Sequence, residues 1–317
     1  YKRMGSLNVG DEVFDQFGRA VKVVGVPFKD KIQCYRVIFD DGSEVVASED
    51  HKWVCKTSKE RFRRVYTPSA RSLKGVQPNK DFDSWIEAST EEIISLGGYA
   101  PNVASAWRRV SIPVCSPLER ADKGLLDPYL IGLLLGDGGL TGGSVIFTTA
   151  DSEMAEYVVS NHGAKPVGPY GYRLNGYGEK LRPLGMMGCG SLNKRIPEEY
   201  LRGSVRERVE LLQGLMDTDG TMSDSAATFS TISPGLKDDF VELVTSLGGK
   251  AKVKRRKAGY RNKDGDYVTC NDCYSVRVNI LLCPFKLKRK AERFYVSSRR
   301  HERVIYAVES VGKLPST

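Results

Sequence analysis

The sequence predicts an α+β chain in which a pseudo-two-fold pair of α/β repeats lies between all-β segments. Three observations carry this prediction. An apolar helix ending in Asp-Gly occurs twice, 82 positions apart. Each copy continues into a short strand, a polar turn and an amphipathic helix. Residues 5–55 and the tail RVIYAVESVGKL instead read as short valine-rich strands broken by Gly and Asp-Gly turns.

The chain has 317 residues, enough for two domains with separate cores. Its apolar content of 40% and charged content of 27% fit a globular protein. The start, YKRMGSLNVGDEVF, lacks the apolar core of a signal peptide, and no apolar run reaches the ~20 residues of a membrane span. The expectation is a cytoplasmic protein without membrane partners. Seven cysteines are scattered; Cys270 and Cys273 form a lone CxxC, with Cys283 ten residues on and no second pair spaced for zinc. These are read as buried or strand thiols.

The first helix is expected within PYLIGLLLGDGGL, residues 128–140. Asp127 before Pro128 is an N-cap with proline at the first helical position. The second copy, LLQGLMDTDGTM at 211–222, begins after a capping box, Ser204-Val-Arg-Glu207. Leu130, Gly132, Leu133, Asp137 and Gly138 recur as Leu212, Gly214, Leu215, Asp219 and Gly220. Phe147 and Thr149 recur as Phe229 and Thr231. Gly138 and Gly220 suit the left-handed residue that ends a helix. Mid-helix Gly132 and Gly214 each cost about 1 kcal/mol relative to alanine, a cost tolerated where a second backbone approaches closely. The two helices are therefore expected to cross at these glycines, with Asp137 and Asp219 side by side.

Such a pair is unfavourable alone. Two carboxylates would meet the negative ends of two helix dipoles and each other. A divalent cation held by the carboxylates and helix-end carbonyls removes the conflict, and hard oxygen ligands favour Mg²⁺.

Net charge is +9, and it is clustered. Residues 250–263, KAKVKRRKAGYRNK, hold eight Lys or Arg and no acid; residues 286–303 hold eight against two acids. Both runs are interleaved with aromatics, which favours phosphate contact. The candidates are Lys252, Lys254, Arg255, Arg256, Lys257, Arg261, Lys286 and Lys290, with Arg108 and Arg109 in NVASAWRRVSIPV.

LIGLLLGDG and LQGLMDTDG resemble the paired motifs of LAGLIDADG homing endonucleases, and the flanks NKRIPEEYL and FSTISPGLKDDFVELVTSLGG fit as well. Copy one departs at Leu135, where the family often has an acid; Asp217 keeps it in copy two. The resemblance implies saddle-shaped antiparallel sheets in the DNA major groove of a double-stranded target. It also implies cleavage across the minor groove leaving 3′ overhangs, by one monomer with internal pseudo-symmetry. It makes Asp137 and Asp219 the metal ligands, assisted by the Gly136 and Thr218 carbonyls, with Mg²⁺ the expected ion and Ca²⁺ or Mn²⁺ able to take its place. It further implies a catalytic lysine near each acid: Lys194 for one, and Lys288 for the other, with Lys286 and Lys290 close behind.

The flanks resemble the hedgehog/intein (Hint) splicing fold. GSEVVASEDHKWV is similar to the block holding that family's Thr/Ser-x-x-His, here Ser48 and His51. The resulting division is residues 1–95, the first part of a Hint domain; 96–119, a linker or DNA-contacting extension; 120–203 and 204–295, the two repeats; and 296–317, the returning Hint strand. Ser6 lies too late for an intein's first nucleophile and Thr317 precedes any His-Asn ending, so this chain is not expected to splice. The leading expectation is an intein-borne DNA endonuclease of a prokaryotic or phage host. The alternatives are a splicing element with a decayed, DNA-binding-only nuclease, and an RNA-splicing maturase on the same repeat.

Overall fold

The structure, a computed structural model, describes residues 2–57, 85–95, 110–223, 226–261, 263, 266–296 and 301–316. The chain divides into two units. One comprises residues 1–15, 20–114 and 302–317; the other comprises 16–19 and 115–301.

The first unit is mostly β. It contains β1 (Glu12–Phe14), β2 (Ala20–Lys22), β3 (Lys29–Phe39), β4 (Glu44–Ser48), β5 (Lys52–Thr57), β6 (Ile86–Ser89), α1 (Thr90–Ser95), β7 (Val110–Pro113) and, last in the chain, β16 (Glu302–Ser316). β1 and β2 form a hairpin; the others form an antiparallel sheet in the order β4-β3-β16-β7-β5-β6. Val37, Phe39, Trp53, Cys55, Ile93, Val110 and Ile305 are its buried core. The sequence reads 96–119 as a linker or DNA-contacting extension; residues 96–109 lie outside the described residues, and 110–113 form a strand. Val110–Pro113 pairs with both β5 and β16, so these residues are an interior strand. Pro113 lies at the strand's end, where a missing N–H costs the ladder least.

The second unit contains both copies. The first is α2 (Pro128–Asp137), β8 (Gly138–Gly139), β9 (Val145–Thr148), α3 (Ser152–His162), β10 (Lys165–Val167), β11 (Gly171–Leu174), α4 (Tyr177–Leu181) and α5 (Glu198–Leu201). The second is α6 (Val205–Asp219), β12 (Gly220–Ser223), β13 (Ala226–Thr231), α7 (Pro234–Ser246), β14 (Lys250–Arg261), β15 (Tyr267–Asn279) and α8 (Lys288–Ala291). Their sheets share one topology, β10-β11-β9-β8 and β14-β15-β13-β12. The repeat seen in the sequence is thus a repeat of fold. It is unequal in one place: β14 and β15 have 12 and 13 residues, whereas β10 and β11 have 3 and 4.

Both caps form as expected. The Asp127 carboxylate accepts the amides of Tyr129 and Leu130 at 2.9 and 3.2 Å, and Ser204 with Glu207 closes a capping box. α2 is buried on all sides except its last turn, from Pro128 through Leu135. A helix apolar all round belongs in a core, and Phe147, Phe229 and Phe240 are among the side chains that enclose the two helices. No helix among the described residues is long and apolar enough to cross a membrane.

Candidate active site at the paired helix tips

The two motif helices cross at their glycines. A Cβ on Gly132 would lie 2.5 Å from the Leu211 carbonyl oxygen and 2.8 Å from Gly214 Cα. One on Gly214 would lie 2.8 Å from Gly132 Cα and 2.9 Å from Leu133 N. Contacts that short do not occur for a real side chain, so only glycine permits this crossing. One turn further on, Gly136 faces Thr218, whose Cβ would be 2.5 Å from a Cβ on Gly136.

The helices end at Asp137 and Asp219, but the following glycines are not left-handed. Gly138 and Gly220 are extended, at φ −83° and −95°. They are required for another reason. The chain turns so tightly into β8 and β12 that a Cβ would meet Leu134 Cα at 2.8 Å or Met216 Cα at 2.7 Å.

Asp137 reaches solvent and Asp219 is half-buried. Burial, then the neighbouring Asp137 charge, pushes the Asp219 carboxyl up to about 6, against the pull of Lys194 and Lys290. Loss of hydration also raises Asp137, opposed by the same two lysines. Burial lowers both lysines; Asp219 and Asp137 oppose that shift at Lys194, and Asp217 chiefly opposes it at Lys290.

The lysines sit on the helix ends. Lys194, buried, donates from Nζ to the carbonyls of Leu134 at 3.2 Å and Gly136 at 2.7 Å. Lys290 donates to those of Met216, Asp217 and Gly220 at 3.0, 2.7 and 2.6 Å. Each ammonium therefore meets the negative end of a helix dipole, where a cation is favoured. All three Lys290 protons are engaged, whereas Lys194 uses two. The Gly136 carbonyl, expected to assist a metal, accepts this bond from Lys194. Thr218 bonds back to its own helix through Oγ1, at 3.1 Å to Gly214 O and 3.0 Å to Leu215 O.

The structure places Lys288, the first choice for the second lysine, on the outside of α8. Its side chain is 79% exposed and lies near Glu292, while Lys290, two residues on, takes the position matching Lys194. α8 explains the difference: its outward side carries Lys288 and its inward side carries Lys290. Lys286 goes elsewhere, its ammonium lying over the rings of Tyr129 and Tyr157 at 4.3 and 4.6 Å. Asp217 was read only as the motif's first acid. It is fully buried, and its Oδ2 accepts from Tyr129 Oη at 2.9 Å and from the amides of Lys286 and Leu287 at 3.1 and 3.0 Å. The bond to Tyr129 had no signal in the sequence.

The sheet faces turned away from the core are basic in matching places. Arg277 stands across from Lys252 and Thr228; Arg173 stands across from Lys165 and Ile146. Lys254 and Arg256 continue the Lys252 face by strand alternation. Arg255 and Lys257 point to the other face with Ala251, and Arg255 is ion-paired with Asp272. Arg261 belongs to β14, though its side chain, like all of Arg108 and Arg109, lies outside the described residues.

In the first unit Ser48 ends β4 and donates from Oγ to Asp50 at 2.7 Å. The His51 amide bonds the Ser48 carbonyl at 3.1 Å, and the imidazole packs edge-on to Trp53. Burial lowers the His51 pKa, opposed by Asp50.

Among the described residues no group of three or more His, Cys, Asp or Glu side chains is placed to hold a metal ion. The Asp137–Asp219 pair nevertheless fits a divalent cation. Two ammonium groups leave both carboxyls above their ordinary range, so the pair retains an unmet demand for positive charge, and its donors are hard oxygens.

Residues 195–282 match the family model for homing endonucleases, beginning one residue after Lys194 and running through α6 and the second sheet. The chain is 30% identical over 296 residues to the replicative DNA helicase DnaB of Mycobacterium intracellulare, covering 90% of this chain and 46% of that protein. It thus spans about half the length of the curated relative it matches. Solved structures of the homing endonuclease I-DmoI are also similar. Mesophilic variants of I-DmoI match at 14% identity and TM-score 0.32, over 53% of this chain and 85% of theirs. I-DmoI in complex with DNA and Mn matches at 14% identity and TM-score 0.30, over 54% of this chain and 97% of that one.

Proposed function

We propose that this chain is a sequence-specific, Mg²⁺-dependent double-strand DNA endonuclease carried within an intein. The observation that carries the reading is the pair of helix tips: two carboxylates, an ammonium beside each, and a crossing that only glycine allows. The homing endonuclease match over residues 195–282 supports it independently.

Asp137 and Asp219 would hold the metal. When bound, Mg²⁺ supplies an activated water and stabilises the leaving oxygen of the phosphodiester. The chain's own groups do the rest. Lys194 retains a proton for a phosphate oxygen and, with Lys290, counters charge that develops in the transition state. The Lys252–Arg277 and Lys165–Arg173 faces, with Lys254 and Arg256, hold the backbone of duplex DNA through phosphate contacts. Two half-sites correspond to two strands, so one monomer suffices for a double-strand cut.

The intein context rests on the flanks. Sequence segments 1–15, 20–114 and 302–317 form one unit, Ser48 and His51 retain the Ser-x-x-His spacing, and the relative matched over 46% of its length is a DNA helicase. The Hint assignment and the cytoplasmic location of the host belong to the same proposal.

The test is incubation with duplex DNA carrying the uninterrupted helicase gene, with Mg²⁺ or with EDTA. Double-strand cleavage with Mg²⁺ alone is expected. Specific binding without cleavage would replace this reading with that of a decayed nuclease.

A further inference from the structure

The two lysines are held by networks that share no residue, each centred on a buried carboxylate. At Lys290, the Asp217 carboxylate gathers the Lys286 and Leu287 amides and the Tyr129 hydroxyl onto one oxygen. These bonds fix the turn that leads into α8, three residues before Lys290. Arg289 of α8 is paired with Asp151, at 3.0 and 2.8 Å. Copy one has Leu135 where copy two has Asp217, so no motif acid can do this for Lys194. There Asp239 of α7 takes Arg195 in a two-pronged pair at 2.8 and 2.6 Å and the Ile196 amide at 2.9 Å. Ser233 Oγ donates to the Lys194 carbonyl at 2.8 Å. Asp217, Asp239 and Ser233 are all buried.

We infer that Asp217 and Tyr129 are positioning residues for the Lys290 half-site alone, and Asp239 and Ser233 for the Lys194 half-site alone. Each network then governs cleavage of one DNA strand. This rests on the endonuclease reading above. The physical reason is placement: a shift of about 1 Å in a catalytic group costs roughly a hundredfold in rate, and a lysine is only as well placed as the backbone that carries it. A residue of merely general structural value would slow both strands alike.

The test uses the full chain and a target duplex labelled separately on each strand. Lys290→Met and Lys194→Met identify which strand each half-site cuts. Tyr129→Phe removes one hydroxyl and Asp217→Leu copies the residue of the first repeat. Both are expected to slow the Lys290 strand roughly tenfold to a hundredfold, so that duplex nicked in the other strand accumulates. Asp217→Asn, which keeps an oxygen acceptor, restores most of that rate. Asp239→Leu slows the opposite strand. Equal slowing of both strands in Tyr129→Phe, with unchanged thermal unfolding, would overturn the inference.

Amide hydrogen exchange decides the matter without any cleavage. Tyr129→Phe should speed exchange at residues 286–291 and leave 193–196 unchanged, and Asp239→Leu should do the reverse. Exchange altered in both segments, or in neither, would overturn the inference even in a chain that does not cut. A wild-type chain that cuts no target overturns the endonuclease reading instead.

Discussion

Replacing Asp219 by asparagine should make the protein more stable while abolishing double-strand cleavage. The folded protein holds the Asp219 carboxyl at about 6, against 3.8 for the ordinary group. An acid whose pKa is raised by folding binds its proton more tightly in the native state. Stability from this group therefore falls as pH rises from about 4 to about 6, and the whole deficit is present above 6. Two pKa units correspond to about 3 kcal/mol at ~1.4 kcal/mol per unit, and solvent at this half-buried tip brings the expectation to about 1–3 kcal/mol. Asparagine removes the charge at nearly the same volume. At pH 7.5 without metal, Asp219→Asn should raise the melting temperature by about 2–12 °C, from ~2–4 °C per kcal/mol for a unit of this size. At pH 4 the gain should vanish. Mg²⁺ should lift the wild type above pH 6 and leave the variant little changed. Scanning calorimetry is the suitable assay, because Trp53, Trp85 and Trp107 all belong to the other unit. A variant less stable than wild type at pH 7.5, or a gain independent of pH, would refute the account of a strained carboxylate pair.

Other consequences are equally open to measurement. Gly214→Ala gains about 1 kcal/mol of helix propensity but overpacks the crossing, so a net loss of about 1–3 kcal/mol and a large fall in cleavage are expected; a variant as stable and active as wild type would show that the helices can separate freely. Lys290→Met should reduce cleavage of one strand by at least about a hundredfold, whereas Lys288→Met should stay within a few-fold of wild type; the opposite ranking would return the role to Lys288. Arg256→Gln should lower the slope of log affinity against log salt by about one, while Arg255→Gln, already neutralised by Asp272, should leave it nearly unchanged. Competition binding across a salt series reads both.

The motif helices were legible because their signals are local and chemically specific. Asp127-Pro128 and the Ser204 box mark helix starts by satisfying free amides. Gly132 and Gly214 announced a helix crossing because glycine in mid-helix has a cost that only close packing offsets. The lysine that sits on the second helix end as Lys194 sits on the first was not legible. Asp137 and Asp219 are 82 residues apart, but Lys194 and Lys290 are 96 apart, since the long β14–β15 hairpin intervenes and the register of the repeat is lost. The sequence offers Lys286, Lys288 and Lys290 close together, and only the fold shows which of them reaches the helix end. Likewise, strand alternation separates Arg255 from Arg256, but nothing in the sequence pairs Arg255 with Asp272. The carboxylates were read as needing a cation; the structure adds that two ammonium groups already meet part of that need, through helix carbonyls that no motif records.

In the six-stranded sheet, Pro113 faces Glu302 across the β7–β16 ladder, followed by Ile112 with Arg303 and Ser111 with Val304. The chain thus departs from one rung and returns at the same rung. To that sheet, residues 115–301 are the loop of an ordinary hairpin. Closure entropy grows only with the logarithm of loop length, so exchanging a turn of ~5 residues for this whole segment costs about 3 kcal/mol at most. A shortened chain joining Val114 to Glu302 through a small turn would preserve every rung of that ladder.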